Sequence, residues 1–409
     1  MAASSPTLHP LTQRINRIEE SATMAVSGEA QRLRSAGADL VDFGAGEPHF
    51  DTPLHIKEAA IAAIRDGFTK YTLVGGTTEL RDALVRRHAE DFGTAYAREE
   101  CIASTGGKQA LFNAFQVLIE HGDEVILPVP YWVSFKDIVC YCGGVPVPVR
   151  TDEQQGFALT PEMVERALTP RTKAIVLNSP GNPSGAVIRP EDLTGIMELA
   201  ARRNVFVVAD ECYAYLDFTG TRFSLGSVAG SMADGREHLL IAGSLSKTYA
   251  MTGWRLGFAL GPKWLVSAMQ KLQSQSTSNP TSIVQKAAVA ALTGSQDCVR
   301  EMRDEYQRLR DRVVAGLRSI PGVRCVEPRG AFYAYPNLSA FLGEKAGGNG
   351  AQVRTASELA GRLLREAGVV VVPGEAFGTQ EHVRISFATS AAAITKGVER
   401  MRKFFATLN

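Results

Sequence analysis

Lys247 is bracketed by two groups that point to one chemistry: Ser244 stands three residues before it and Arg255 eight after. An amine can condense with an aldehyde to a Schiff base, while a hydroxyl and a planar guanidinium can hold a phosphate. A ligand that is both aldehyde and phosphate would use all three, and pyridoxal phosphate is such a ligand. Gly243, Ser244 and Ser246 are small enough to let the backbone turn tightly beside it. A solvated lysine near a surface arginine is the ordinary state of both types, and this stretch alone leaves both readings open.

Other clusters offer matching chemistry, each with a plainer alternative. Gly106-Gly107-Lys108 opens a helix after a strand, where free N–H groups and the helix dipole favour phosphate; many such loops carry glycine for structural reasons. Asp210 ends a strand, three residues before Tyr213. A carboxylate there could pair with a protonated pyridine nitrogen, or simply cap a helix. Asn182 and Tyr213 could both bond the ring's phenolic oxygen and so lower the pKa of the neighbouring imine. Asn182-Pro-Ser-Gly185 is also ordinary turn chemistry. Trp132 could stack on a ring or serve a core. Arg384, inside an apolar strand, needs an anion, which a substrate carboxylate or a structural Asp or Glu would supply.

The elements that must position these residues follow from the spacing of apolar runs. From about residue 100 the chain repeats strand, loop and helix: strands at 100–104, 124–127, 172–177, 205–209 and 238–242, helices at 109–120 and 189–203. That alternation predicts a mainly parallel sheet covered on both faces, with ligands at the carboxyl ends of its strands. Each polar cluster of the alternating segment stands at such an end. Upstream, helices are expected at 22–34, after Asp51-Thr52-Pro53 (a side-chain cap with Pro at the first turn), and at 78–92 before Gly93. After about 280 the texture changes to helices at 280–292 and 298–320. Strand 331–335, helix 356–367, strands 369–372 and 382–387 and helix 391–405 complete a smaller α+β part, with a Gly-rich loop at 344–352.

Composition narrows the function classes. With 409 residues, 45% hydrophobic and 21% charged, the chain can bury a sizeable core over two domains. A formal net charge of +1 gives no bulk case for nucleic acid or an anionic membrane. The six Cys form no CxxC pair and the seven His show no ligand spacing near them. No metal and no disulfide framework are expected, and a reducing compartment is favoured. With no apolar leader and no membrane-length run, the expected location is cytoplasmic.

In their order and spacing, eight stretches resemble fold-type I aminotransferases of the aspartate aminotransferase class. They are Ala45-Gly-Glu-Pro48, Gly106-Gly-Lys-Gln-Ala-Leu111, Pro130-Tyr-Trp132, Asn178-Ser-Pro-Gly-Asn-Pro-Ser-Gly185, Asp210-Glu-Cys-Tyr213, Ser244-Leu-Ser-Lys247, Thr252-Gly-Trp-Arg255 and Val383-Arg-Ile-Ser386. The likeness runs from Ser21 to the C-terminus. It is strongest to the bacterial branch whose members act on aspartate and, in some cases, prephenate.

The resemblance implies pyridoxal 5'-phosphate as cofactor and amino acids and 2-oxo acids as substrates. It implies a three-layer αβα large domain with a mainly parallel sheet at 49–295 and a smaller α+β domain at 296–409, with residues 1–48 as an arm and part of the small domain. Lys247 would be the Schiff-base lysine and proton shuttle, Asp210 the partner of the pyridine nitrogen, and Asn182 and Tyr213 the partners of the ring oxygen. Trp132 would lie against the cofactor. Gly106, Gly107 and Lys108 by their backbone, with Ser244, Ser246 and Arg255, would surround the phosphate. Tyr71 would reach the phosphate of a neighbouring subunit, so a homodimer is implied. Gly46 by its N–H, with Asn182, Trp132 and Arg384, would hold the substrate's α-carboxylate. The Lys108 side chain, with Ser21 and Thr23, would meet a distal carboxylate, which favours aspartate or glutamate.

The family pattern carries a basic residue and a proline just before Ser21, where Glu19 and Glu20 stand here. Two acids would oppose a diacid if they pointed inward. A β-lyase or decarboxylase would share the ring chemistry, and transfer of the amino group to 2-oxoglutarate separates it. An aromatic or prephenate-type substrate is a further alternative. A ligand-sensing domain of a transcription regulator would carry a DNA-binding module ahead of it. A nicotinamide-dependent oxidoreductase would need a third glycine after Gly44-Ala-Gly46, and none follows.

Overall fold

Between residues 100 and 260 the apolar runs build one sheet. The computed structural model describes residues 11–20, 22–221, 223–343 and 353–408; Ser21 and the loop expected at 344–352 lie outside them. The strands are, in chain order, β1 (Val41–Asp42), β2 (Cys101–Ser104), β3 (Glu124–Val129), β4 (Val145–Arg150), β5 (Thr172–Asn178), β6 (Phe206–Asp210), β7 (Leu239–Ser244), β8 (Gly257–Leu260), β9 (Tyr333–Ala334), β10 (Val369–Val370), β11 (Val372–Pro373) and β12 (Val383–Ser386). Seven of them form the large sheet in the order β2-β8-β7-β6-β5-β3-β4. Only β8 runs against its neighbours, β2 and β7; the remaining pairs are parallel.

The strand residues alternate between two apolar layers, as the two-residue side-chain period requires. Val207, Ala209, Leu239 and Ile241 face one core, with Leu193, Ile196 and Ala287 of the covering helices. Phe206, Val208, Leu240 and Ala242 face the other, with Leu111, Phe115 and Leu265. Both faces being covered, the inner strands read as continuous apolar runs.

A third core lies under the C-terminal third of the chain. The helices Asp297–Arg318 and Ala391–Ala406 bury Leu309, Val313, Val398 and Met401 against Phe332, Ile385 and Phe387. Here β9 and β11 flank β12 in an antiparallel sheet. Strand β1 pairs in parallel with β10, Val41 beside Val369, and carries Phe43 into this core. The turn at Gly46 is therefore held over the C-terminal part rather than beside its sequence neighbours.

Several expected elements differ in detail. Strands β4 and β8 were not expected. The helix after Pro53 spans Leu54–Arg65, and no side chain caps it. Asp51 instead pairs with Lys57 at 2.9 Å, and the Thr52 hydroxyl donates to the Ala250 carbonyl at 2.6 Å. The helix expected at 356–367 is α-helical only over Ala356–Arg362 and widens to a π-turn over Leu363–Ala367. The single strand expected at 369–372 is two, because Val369–Val370 pairs with β1 while Val372–Pro373 pairs with β12. Among the described residues no helix is long and apolar enough to cross a membrane.

Candidate active site

Sheet register sets the floor of the site. Ser104 lies opposite Gly257, and Gly257 opposite Ser244. On the next strands Ala242 faces Asp210, and Asp210 faces Asn178. The carboxyl ends of β2, β5, β6 and β7 and the start of β8 thus form one edge. Above that edge opens a cavity of about 560 Å³. Its wall includes Thr23, Gly46, Gly107, Lys108, Trp132, Asn182, Asp210, Tyr213, Ser244, Ser246, Lys247, Arg255 and Arg384. Residues expected from distant stretches are thereby brought together.

Three expected residues stand apart. Gly106 packs beneath the Arg255 guanidinium, which a Cβ there would overlap. Tyr71 is 90% exposed and takes no part in this chain's cavity wall. Ser21 lies outside the described residues. Glu19 and Glu20 are exposed, and neither belongs to the cavity wall.

The phosphate-type turn is built by close backbone approach. Gly106 has φ +88°, and the helix Gly107–Leu118 begins directly after it, leaving its first N–H groups free of helix partners. A Cβ at Gly257 would overlap the Gly107 nitrogen, so only glycine lets β8 pass here. The Ser244 hydroxyl caps the next turn, accepting from the Ser246 N–H at 3.1 Å. Arg255 holds φ +56° and donates to the Thr252 carbonyl at 2.8 Å.

Electrostatics at the floor are those of charged groups stripped of water. Burial, slightly relieved by Cys212, lowers Lys247 from its ordinary 10.5 to about 8. Its amine reaches the Gly46 carbonyl. Burial raises Asp210 to about 6, although the Cys212 N–H donates to its carboxylate at 3.1 Å. Burial and then Tyr333 raise Tyr213 well above the ordinary phenol value; the two hydroxyls stand 2.8 Å apart. Burial, followed by the Arg255 charge, lowers Lys108. Its ammonium lies 4.9 Å from the Trp132 ring centre, and because the side chain remains exposed, solvent screens much of the shift.

For Arg384, 1% exposed, the structure provides no structural Asp or Glu partner among the described residues. Its two terminal nitrogens donate to Asn182 Oδ1 at 3.1 Å and the Gly44 carbonyl at 2.8 Å. Its Nε, buried, finds no partner among the described residues. Arg384 is thus a buried guanidinium that lines the cavity and whose hydrogen-bond partners are neutral, an arrangement that leaves its charge without a counter-ion among the described residues. Because Arg384 occupies the Asn182 amide oxygen, the Asn182 NH₂ is the group left to act in the cavity.

Comparison with known proteins agrees with this geometry. The family model "Aminotransferase class I and II" matches residues 38–401. The chain belongs to the class I and II aminotransferases. It is 43% identical over 394 residues to the aspartate aminotransferase of Geobacillus stearothermophilus, covering 96% of this chain and 98% of that one. It is 44% identical over 396 residues to the aspartate/prephenate aminotransferase of Thermus thermophilus, covering 96% and 98%. Among solved structures, the Thermus thermophilus aspartate aminotransferase with maleate superposes with a TM-score of 0.91 at 43% identity, over 97% of this chain and all of that one. The Rhizobium meliloti aspartate aminotransferase gives a TM-score of 0.92 at 41% identity, over 98% of this chain and all of that one. This aminotransferase thus has the α/β fold, with its mostly parallel central sheet, that the resemblance implied.

Other residues of this aminotransferase's cavity were not singled out by sequence. Glu47, exposed at the rim, accepts from the Thr252 hydroxyl at 3.0 Å and ties the Gly46 turn to the Arg255 turn. Asn178 donates to the Asp210 carbonyl at 3.0 Å and accepts from the Asn182 N–H at 2.9 Å, which fixes the Asn182 turn on the sheet. Cys212 and Tyr333 also line the wall. Asn178, Glu47 and Cys212 stood inside the quoted stretches. Tyr333, in an alternating aromatic run, carried only the signal of a core strand.

Proposed function

We propose that this aminotransferase holds pyridoxal 5'-phosphate at Lys247 and moves the amino group of a dicarboxylic L-amino acid, aspartate or glutamate, to a 2-oxo acid in ping-pong fashion. The observation that carries the reading is Arg384, a buried guanidinium with no carboxylate partner among the described residues, lining the same cavity as the half-buried Lys247. When bound, the cofactor supplies an aldehyde that takes up an amine and a ring that accepts electrons released at the substrate's Cα.

The chain's own residues would do the rest. Lys247, at about 8, holds a sizeable neutral fraction near neutral pH; it serves as nucleophile and then carries the proton at Cα. Asp210 offers a desolvated carboxylate to a ring N–H⁺, whose charge would draw it back to the ionised form. The Tyr213 hydroxyl and the Asn182 NH₂ donate to the ring oxygen, and Trp132 covers the ring. The backbone of Gly107 and Lys108, with Ser244, Ser246 and Arg255, takes the phosphate, while the Gly106 N–H is spent on the Ser104 carbonyl. Arg384, with the Gly46 N–H, Asn182 and Trp132, takes the α-carboxylate. The Lys108 ammonium and the Thr23 hydroxyl, with Ser21, meet the distal one.

Three further parts of the reading rest on the same family membership. Tyr71 of the partner subunit would reach this subunit's phosphate group, which agrees with a side chain left 90% exposed in the single chain. The division into 1–48, 49–295 and 296–409 agrees with a separate core under the C-terminal third. A cytoplasmic location agrees with six free cysteines.

Lys108→Ala tests the donor class. Losing one charge-assisted contact costs about 1.5–3 kcal/mol, or roughly one to two powers of ten in kcat/KM for aspartate. Alanine and phenylalanine should be nearly unaffected. Equal loss for every donor would mean that Lys108 serves the phosphate alone. A prephenate-type substrate is the second reading, favoured by the relatives described as aspartate/prephenate aminotransferases.

A further inference from the structure

Tyr333 stands where the two halves of the cavity meet. Strand β9 presents it, 1% exposed, with its hydroxyl 2.8 Å from that of Tyr213. Its ring centre lies 4.6 Å from the guanidinium carbon of Arg384. On a third side is Gly46, where a Cβ would come within 3.0 Å of the Tyr333 hydroxyl. One side chain therefore touches the tyrosine assigned to the ring oxygen, the arginine assigned to the α-carboxylate, and the turn beside both.

We propose that Tyr333 is a positioning residue that fixes the direction of the Tyr213 hydroxyl and the pose of Arg384, a role that rests on the aminotransferase reading above. A hydroxyl has one proton to give. Tyr213 can donate to the ring oxygen only if it does not donate to Tyr333, so the bond between them must run from Tyr333 to Tyr213. Accepting that bond polarises the Tyr213 O–H and makes it a stronger donor. With the cofactor bound, donation to the ring oxygen would favour its ionised form and so would hold down the pKa of the nitrogen joining Lys247 to it.

The second job is mechanical. Hydrogen bonds to Asn182 and Gly44 hold the Arg384 nitrogens in the guanidinium plane. The Tyr333 ring at 4.6 Å and the Phe377 ring at 5.2 Å support it through cation–π contact. The charged and titratable groups facing Tyr333 are Arg384, Tyr213, Cys212 and Tyr306. Those facing Lys247 are Cys212, Arg384, Glu47, Arg255 and Asp210.

Two variants of the holoenzyme separate the jobs. Tyr333→Phe removes the hydroxyl and keeps the ring; Tyr333→Leu removes both. The first readout is the absorbance of the Lys247-bound cofactor titrated against pH without substrate. Tyr333→Phe should raise that pKa by about half a unit to one unit, the size of one net hydrogen bond. KM for the amino acid should change less than about twofold, because its contacts are untouched. In a Tyr213→Phe background the same substitution should produce no further shift, since its effect passes through Tyr213. Tyr333→Leu should add a rise in amino-acid KM of roughly three- to thirtyfold, the loss of one desolvated cation–π contact. An unchanged titration in Tyr333→Phe would overturn the proposal even if Tyr333→Leu fails to fold. So would a shift that persists without the Tyr213 hydroxyl. A wild-type protein with no cofactor absorbance would instead overturn the aminotransferase reading beneath it.

Discussion

Lys247, half-buried, and Asp210, buried, face one cavity with opposite sign, and desolvation moves each toward neutrality. The consequences for the cofactor-free protein have definite signs. The folded Lys247, at about 8 against an ordinary 10.5, binds fewer protons than the unfolded chain between those values. Its destabilising effect is full below pH 8 and is relieved as pH rises. The folded Asp210, at about 6 against 3.8, binds more protons between those values. Its destabilising effect is full above pH 6 and is relieved as pH falls. Asp210→Asn should therefore stabilise the cofactor-free protein at neutral pH, by up to roughly 3 kcal/mol. The gain should shrink as pH falls toward the ordinary carboxylate value, and urea unfolding at two pH values measures it. A gain that grew on acidification would contradict the assigned environment. With cofactor bound, the same variant should lose kcat by orders of magnitude with little change in KM, because the contact to the ring nitrogen acts on the proton-transfer step.

The elements were legible where a period repeated and obscure where a residue served two neighbours. Helix Thr78–Phe92 and its Gly93 terminator stand where the sequence puts them, because a threonine cap, an apolar stripe and an αL glycine agree. Strand β4 was missed because Pro146 and Pro148 interrupt it; as the sheet's edge it needs no donors on its outer side. Strand β8 was missed because its four residues follow the Arg255 turn without a run of their own. Tyr333 was missed because Phe332-Tyr333-Ala334-Tyr335 reads as core, and its hydroxyl finds Tyr213 only in the fold. The cost of the β8 geometry is testable at Gly257. Gly257→Ala places a methyl against the backbone of Gly107, which cannot move without displacing the turn. Melting should show a loss of about 1–3 kcal/mol or more, with weakened cofactor retention. Unchanged melting and retention would mean that the Gly106–Gly107 turn is looser than described.

At the scale of the whole molecule the site joins parts far apart in the chain, and Tyr71 is left outside it. Tyr71 is 90% exposed, in a segment that also exposes Leu73 by 58% and follows a helix exposing Leu54 by 65% and Ile64 by 54%. An apolar surface of this kind fits the homodimer with shared sites proposed above. Mixed dimers of Tyr71→Phe and Lys247→Ala subunits should recover one intact site, and their activity against that of each parent measures the sharing. Full activity of a monomer in dilute solution would contradict it. The most direct measurement for the account as a whole is the fate of the cofactor on reduction. Borohydride treatment of the purified protein, followed by peptide mass mapping, should fix one pyridoxyl phosphate per chain, on Lys247. An adduct on another lysine, or none, would contradict the central assignment.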